Sequence, residues 1–230
     1  MEFSHIPVLA EECIIGLDIK PDGIYVDGTT GGGGHSSLIA ARLSEKGRLI
    51  CLDRDSDALE AAGKRLGPLG KNITFVQDNF CNVKQILNNL YIPAIAGIMF
   101  DLGVSSYQLD NGERGFSYMT DAPLDMRMDR RQELDARQVV NTYSRDELKM
   151  IISTYGEERF AGAIASAICR RREQQPIETT LELCDVIKSA MPASAKREKQ
   201  HPAKRTFQAI RIEVNGELAA VEQAVKDAVE

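Results

Sequence analysis

Apolar positions in the first hundred residues fall into short runs separated by stretches with helical spacing. Ile24-Tyr25-Val26, the segment Gly47–Asp53, Asn72–Gln77 and the run Ala94–Asp101 read as four strands. The fourth is almost continuously apolar, as expected of a parallel strand covered on both faces. A short amphipathic helix ending near Leu17 precedes them. Between them lie helical patterns over about Ser37–Glu45, Ser56–Leu66 and Val83–Leu90, the second stopping at Gly67-Pro68. Strands alternating with helices predict an α/β fold, a mostly parallel, doubly wound, Rossmann-like sheet.

Beyond Asp101 the pattern changes. Leu102 to Met128 is rich in Gly, Ser, Asp and Met and has no clear period. Helical segments follow over Asp135–Tyr143, from the capping box at Ser144–Glu147, over Glu157–Arg172, and from Thr179-Thr180-Leu181-Glu182 to Met191-Pro192. From about Pro202 a stripe of Phe207, Ile210, Val214, Leu218, Val221 and Val225 predicts one long helix to the end of the chain. The expected organisation is a discontinuous α/β domain, residues 1–108 and 206–230, with a helical insertion over 109–205.

Candidate chemistry gathers at the strand ends, where ligands of doubly wound sheets bind. Asp27 closes the first strand and leads into Gly28-Thr29-Thr30-Gly31-Gly32-Gly33-Gly34-His35. That is strand, glycine turn and helix, in which glycines admit a ligand close to the backbone and the helix start offers N–H groups. A G-x-G-x-x-G dinucleotide fingerprint is not met, because Ser36 stands where the third glycine belongs, and no Lys follows as in a P-loop. Asp27 is placed to accept from an ammonium group, which S-adenosylmethionine has and nicotinamide dinucleotides lack. Asp53 ends the second strand where a carboxylate can take both ribose hydroxyls. Phe80 follows the third strand, where an aromatic can stack on adenine, and Asp101 ends the fourth.

Composition narrows the setting. The chain has 230 residues, 43% hydrophobic and 27% charged, with no Trp, and is long enough for one large domain or two small ones. Its five cysteines are scattered without a C-x-x-C and read as reduced thiols, so no metal site is expected. Without an apolar leader or a long apolar span, the expected location is cytoplasmic, away from membranes. A net charge of -6 argues against indiscriminate nucleic-acid binding but leaves room for basic patches. Candidates for nucleic-acid contact are Arg127, Arg130 and Arg131, the Arg170–Arg172 triplet at a helix end, and Lys196, Arg197, Lys199, Lys204 and Arg205.

Several blocks, in order along essentially the whole chain, carry a specific resemblance. They are His5-x-Pro7-Val8-Leu9, Asp27-Gly28-Thr29 through Gly33-Gly34-His35, Asp101-Leu102-Gly103-Val104-Ser105-Ser106-Tyr107-Gln108, and Gly112-Glu113-Arg114-Gly115-Phe116-Ser117-Tyr118. Pro123–Met128, Tyr155–Phe160 and His201–Ala209 complete the set. Together they resemble the bacterial 16S ribosomal RNA cytosine-N4 methyltransferases of the MraW/RsmH family. The resemblance implies S-adenosylmethionine as cofactor, 16S rRNA of the small ribosomal subunit as partner, and methylation of N4 of a cytidine in the decoding centre. It also implies cofactor contacts at Gly33, Gly34, His35, Asp53, Phe80, Asp101 and Gln108, with the insertion as the RNA-recognition subdomain.

Asp101, with the Leu102 carbonyl, is the expected methyl-transfer centre. Family members continue past the last helix into a further strand, so the chain reads as a C-terminally truncated form. A nicotinamide oxidoreductase, which Asp53 alone permits, and a cofactor-binding but non-catalytic RNA-binding protein stay open as alternatives, as do monomer and homodimer.

Overall fold

The computed structural model describes residues 7–195 and 199–229. The chain forms two compact units, one running through Tyr107 and resuming at Leu218, the other Gln108–Glu217.

The first unit is built on four parallel strands, β1 (Ile24–Asp27), β2 (Arg48–Asp53), β3 (Ile73–Gln77) and β4 (Gly97–Met99), in the order β3-β2-β1-β4. Helices α1 (Ala10–Leu17), α2 (Gly34–Ala40), α3 (Ser56–Leu66) and α4 (Val83–Asn89) connect or flank them. The expected doubly wound parallel sheet is what forms. Side chains alternate across it. Tyr25, Leu49 and Cys51 pack with Ile14, Ile39 and Leu66, while Val26, Ile50 and Leu52 pack with Val83 and Ile86. Strand order reverses beside β1, and ligands gather at such a switch point.

Two boundaries differ from the sequence reading. β4 is three residues long, because β1 offers pairing only from Tyr25–Gly97 to Asp27–Met99. Past it the backbone turns away, and the Asp101 N–H donates to Thr29 Oγ1 at 2.6 Å instead of to a strand. α2 begins three residues earlier than expected, at Gly34, because Gly33 closes the preceding turn at φ +78°. An added Cβ at Gly33 would come within 3.3 Å of Ala62, so α2 and α3 approach closely there.

In the second unit α6 (Ala136–Thr142), α7 (Arg145–Thr154), α8 (Ala161–Gln174), α9 (Thr180–Ala190) and α10 (Lys204–Asn215) form a helical cluster, preceded by α5 (Ser106–Asp110). The expected capping box of Ser144 with Glu147 is present, and Thr179 with Glu182 forms a second. α7 packs on α8, α8 on α9, and α10 on α6 and α7. The single C-terminal helix of the sequence reading is two helices. Gly216, at φ +57°, ends α10, and α11 (Glu217–Val229) begins after it. Consequently residues 206–217 belong with the helical unit. Asn215 fixes this end from inside: its Oδ1 accepts from Met128 N and its Nδ2 donates to the Met126 carbonyl, both at 2.8 Å. From Leu218 onward α11 is part of the first unit, where Ala220 and Ala224 pack against Phe80.

Candidate active site

The carboxyl ends of β1, β2 and β4 bring Asp27, Asp53 and Asp101 around one glycine turn. The turn is held from below by Asp27, which is completely buried. Its Oδ2 accepts from Ser36 Oγ at 2.5 Å and its Oδ1 from the Thr29 N–H at 3.2 Å. Burial pushes the Asp27 pKa up, against the opposing pull of those two donors. Asp27 was expected to meet a ligand ammonium group. Here both of its oxygens serve the protein's own loop, because the last residue of β1 points into the core. Ser36, which breaks the dinucleotide fingerprint, is the partner the sequence did not flag.

Asp53 is only partly buried. Its Oδ2 accepts from Gly31 N at 2.8 Å and its Oδ1 from Asp55 N at 2.9 Å, so one carboxylate joins the glycine turn to the start of α3. Burial raises its pKa to about 6, although the two backbone donors pull the other way. Each oxygen has a second lone pair with which to accept a hydroxyl.

His35 and Asp101 form the other side. His35 Nε2 lies 3.1 Å from the Val8 carbonyl, which can only accept, so Nε2 carries the hydrogen. Its Nδ1 faces Asp101 Oδ2 at 3.6 Å. The Asp101 side chain is 54% exposed, and Leu102 beside it is exposed too. Pro7 seats on Gly34, where a Cβ would come within 2.8 Å of the proline ring.

Phe80 was expected to stack on adenine. Its ring is instead buried against Phe100 (centroids 5.3 Å apart) and α11, with the Arg54 guanidinium 5.9 Å from its centroid. Gly28 makes this packing possible, since a Cβ there would stand 2.5 Å from the Phe100 ring. Gln108 is buried and is the first residue of the second unit.

Among the candidate RNA contacts, the structure separates anchored cations from exposed ones. Arg127 donates from Nε and Nη2 to the two oxygens of Asp125, at 2.8 and 3.0 Å, and from Nη1 to the Gln132 carbonyl at 2.9 Å. Burial alone would raise the Asp125 pKa, but Arg127 outweighs it and holds the carboxyl below its ordinary value. Arg131 repeats the turn on Asp129, at 2.7 Å, with an exposed side chain. Arg130 and Lys204 are exposed, and Arg205 touches the Glu157 carbonyl at 3.1 Å. Arg172 is tied to the Val140 carbonyl. Lys196 and Arg197 lie outside the described residues.

Among the described residues no group of acids, histidines and cysteines is arranged to hold a metal, and no helix is long and apolar enough to cross a membrane.

Known proteins resemble the chain throughout its length. Residues 2–230 match the MraW methylase family. Over all 230 residues the chain is 53% identical to a ribosomal RNA small subunit methyltransferase H of Brevibacillus brevis, spanning 73% of that protein. A solved putative rRNA-methylase from Clostridium thermocellum shares 24% identity over 44% of this chain and 54% of its own, with a TM-score of 0.37. The aligned part is thus about half the length of that solved chain. With the family match running through both units, the chain belongs to the MraW methylase family.

Proposed function

We propose that this protein transfers a methyl group from S-adenosylmethionine to the exocyclic N4 of a cytidine in the decoding centre of 16S ribosomal RNA. The observation that carries the reading is the exposed Asp101 carboxylate beside buried His35, with Asp53 bonded to Gly31 N, around the glycine turn of a methylase-family chain.

The residues fit the cofactor. Asp53 would take the ribose hydroxyls with its remaining lone pairs, and the Gly31–His35 turn lets the ligand lie against the backbone. Asp101, beside His35, offers an acceptor of the kind an amino-acid ammonium needs. When bound, S-adenosylmethionine supplies an electrophilic methyl on a sulfonium, whose C–S bond electrons return to sulfur on transfer.

The protein's part concerns the nitrogen. The N4 lone pair of cytosine is delocalised into the ring and is a poor nucleophile as it stands. Asp101 Oδ and the carbonyl of Leu102 are acceptors for the N4 hydrogens, drawing the nitrogen toward a tetrahedral, nucleophilic state. After the N–C bond forms, one N4 proton leaves to Asp101 or to water, so no stronger base is required. Holding both reactants in line supplies much of the rest of the acceleration. The target base must leave its stack to reach this edge. The helical unit, through Arg130, Arg131, Lys204 and Arg205, is the RNA-recognition part of the reading, and Gln108 is a further cofactor contact.

The first test is calorimetry with S-adenosylmethionine and S-adenosylhomocysteine, with NAD as control. The second is tritiated methyl transfer to small subunits, with nucleoside mass spectrometry. Micromolar binding of the sulfur ligands and N4-methylcytidine in the digest are expected. Binding of NAD in their place, or methyl label on another nucleoside, overturns the reading.

A further inference from the structure

The helical unit holds a cleft that none of the cofactor chemistry uses. It is a small cleft, open to solvent, between the turn leading into α8 and the start of α10. Glu158, Arg159 and Phe160 form one wall and His201, Pro202 and Arg205 the other.

The cleft is built rather than incidental. Gly156 has no room for a Cβ, which would stand 2.5 Å from the Arg205 carbonyl, so the α7–α8 corner sits directly on the start of α10. Arg205 Nη1 returns the contact by donating to the Glu157 carbonyl at 3.1 Å. Glu157 itself holds φ +50°, a left-handed conformation that strains a non-glycine residue. Buried Glu158 accepts from Phe160 N at 2.8 Å and fixes the turn.

Two planar stacks border the space. The Arg159 guanidinium lies over the Phe160 ring, 4.8 Å from its centroid. His201 stacks face to face on Tyr118, 4.6 Å apart and 7° from parallel, and Phe207 meets the far edge of Tyr118. His201 Nδ1 accepts from Ala203 N at 3.2 Å, which fixes the ring at the head of α10. Burial and nearby Lys188 lower its pKa, so at neutral pH the ring is an uncharged stacking surface.

We infer that this cleft receives one unpaired nucleotide of single-stranded RNA, its base stacked against His201 and its phosphate held by Arg159 and Arg205. Unstacked bases laid on aromatic or guanidinium planes, with arginine on the backbone, are the usual means of gripping single-stranded RNA. The inference rests on the RNA substrate proposed above and gives it a second holding point, separate from the reacting base.

The test is anisotropy with a fluorescein-labelled single-stranded RNA 12-mer, titrated at several salt concentrations. It uses the whole chain and its Arg159→Ala, His201→Ala and His201→Phe forms. Arg159→Ala should weaken binding about fivefold and reduce the slope of log K against log salt by about 0.7, the value of one phosphate contact on a single strand. His201→Ala should weaken it five- to tenfold with the slope unchanged, since stacking releases no counterions. His201→Phe should restore affinity to within threefold. S-adenosylmethionine affinity, measured alongside, should stay within twofold in all three and confirm that each is folded.

Equal RNA binding by the wild type and Arg159→Ala, with S-adenosylmethionine binding intact, removes the cleft but keeps the RNA substrate. A wild type that binds S-adenosylmethionine and no RNA removes both. Cytidine monophosphate competing as tightly as the 12-mer would make the cleft a free-nucleotide site and overturn the strand-holding role.

Discussion

Asp27 and Arg114 are both fully buried ions, and each unit has built its loop around one of them. Asp27 collects donors from Thr29 and Ser36, and burial still pushes its pKa up. Arg114 donates from Nη2 to the carbonyls of Arg127 and Met128, at 2.9 and 3.2 Å, and lies 5.8 Å from the Phe116 centroid. A buried carboxylate can take up a proton when its surroundings fail it. A guanidinium cannot lose one, so it must be wrapped in acceptors. The sheet edge therefore carries a buried charge that can respond to pH, while the buried guanidinium of the helical unit stays charged at any pH. Cofactor handling and RNA handling should part along that line.

The largest expected effect is at Asp101, whose half-exposed carboxylate faces His35. At saturating cofactor, Asp101→Ala should lower turnover 100-fold or more, the usual scale for removing a group aimed at a transition state. Its thermal midpoint should be unchanged. Near-normal turnover with cofactor bound would take Asp101 out of the methyl-transfer centre.

Next comes the pH response of Asp53. Its folded pKa of about 6 lies above the ordinary aspartate value, so below pH 6 the folded group holds a proton and offers fewer lone pairs to ribose hydroxyls. Affinity for S-adenosylhomocysteine should be flat above pH 7 and fall as pH drops through 6, by up to about tenfold per unit. Asp53→Asn should bind about 10- to 100-fold more weakly at pH 8, the worth of a charged hydrogen bond, and lose the pH dependence. The sign for folding is separate. The raised pKa adds stability below the unfolded value, near 4, and that contribution is lost as pH rises through 6. A calorimetric profile that stays flat to pH 5 would remove Asp53 from the ribose position.

A smaller effect is expected at Ser36. Ser36→Ala leaves the buried Asp27 carboxylate with one donor fewer and should cost about 1–3 kcal/mol in urea unfolding. The loss should shrink in mild acid, where Asp27 takes a proton more readily. A midpoint that does not move would mean the 2.5 Å contact carries no stability.

Much of this was legible in the chain, and the misses share a physical cause. Local patterns located β1, β2 and β3, α3, and the Ser144–Glu147 capping box. Strand length was not local: the run from Ala94 reads as a full strand, but its pairing is limited by the four residues of β1. The break at Gly216 was hidden because the apolar stripe keeps its period from Val214 to Leu218 through the glycine. At the site, the acids at the strand ends were visible, but which way each pointed was not. Asp27 and Phe80 turn inward, whereas Asp101 turns outward. The same holds for the arginines, since a basic residue and its carboxylate two positions earlier form one turn that composition cannot distinguish from an exposed patch.

That last ambiguity yields the finest test, because Asp125-Met126-Arg127 and Asp129-Arg130-Arg131 are the same Asp-x-Arg turn at two depths. In each the backbone N–H of the arginine donates to the aspartate at 2.9 Å and the guanidinium closes back on it. Arg127 and Asp125 are only 24% and 23% exposed, and Arg127 also holds the Gln132 carbonyl. Arg131 is 60% exposed. Arg127→Ala should therefore cost about 2 kcal/mol, between the surface and buried limits for an ion pair, and the loss should persist in 1 M salt. Arg131→Ala should cost under about 1 kcal/mol, and salt should erase it, since screening acts within about 3 Å at that strength. RNA affinity should show the reverse order, weakened by Arg131→Ala and Arg130→Ala and little changed by Arg127→Ala once the protein is folded. If Arg127→Ala instead costs RNA binding and no stability, its guanidinium leaves Asp125 for phosphate, and the split between anchored and exposed arginines fails at its most buried pair.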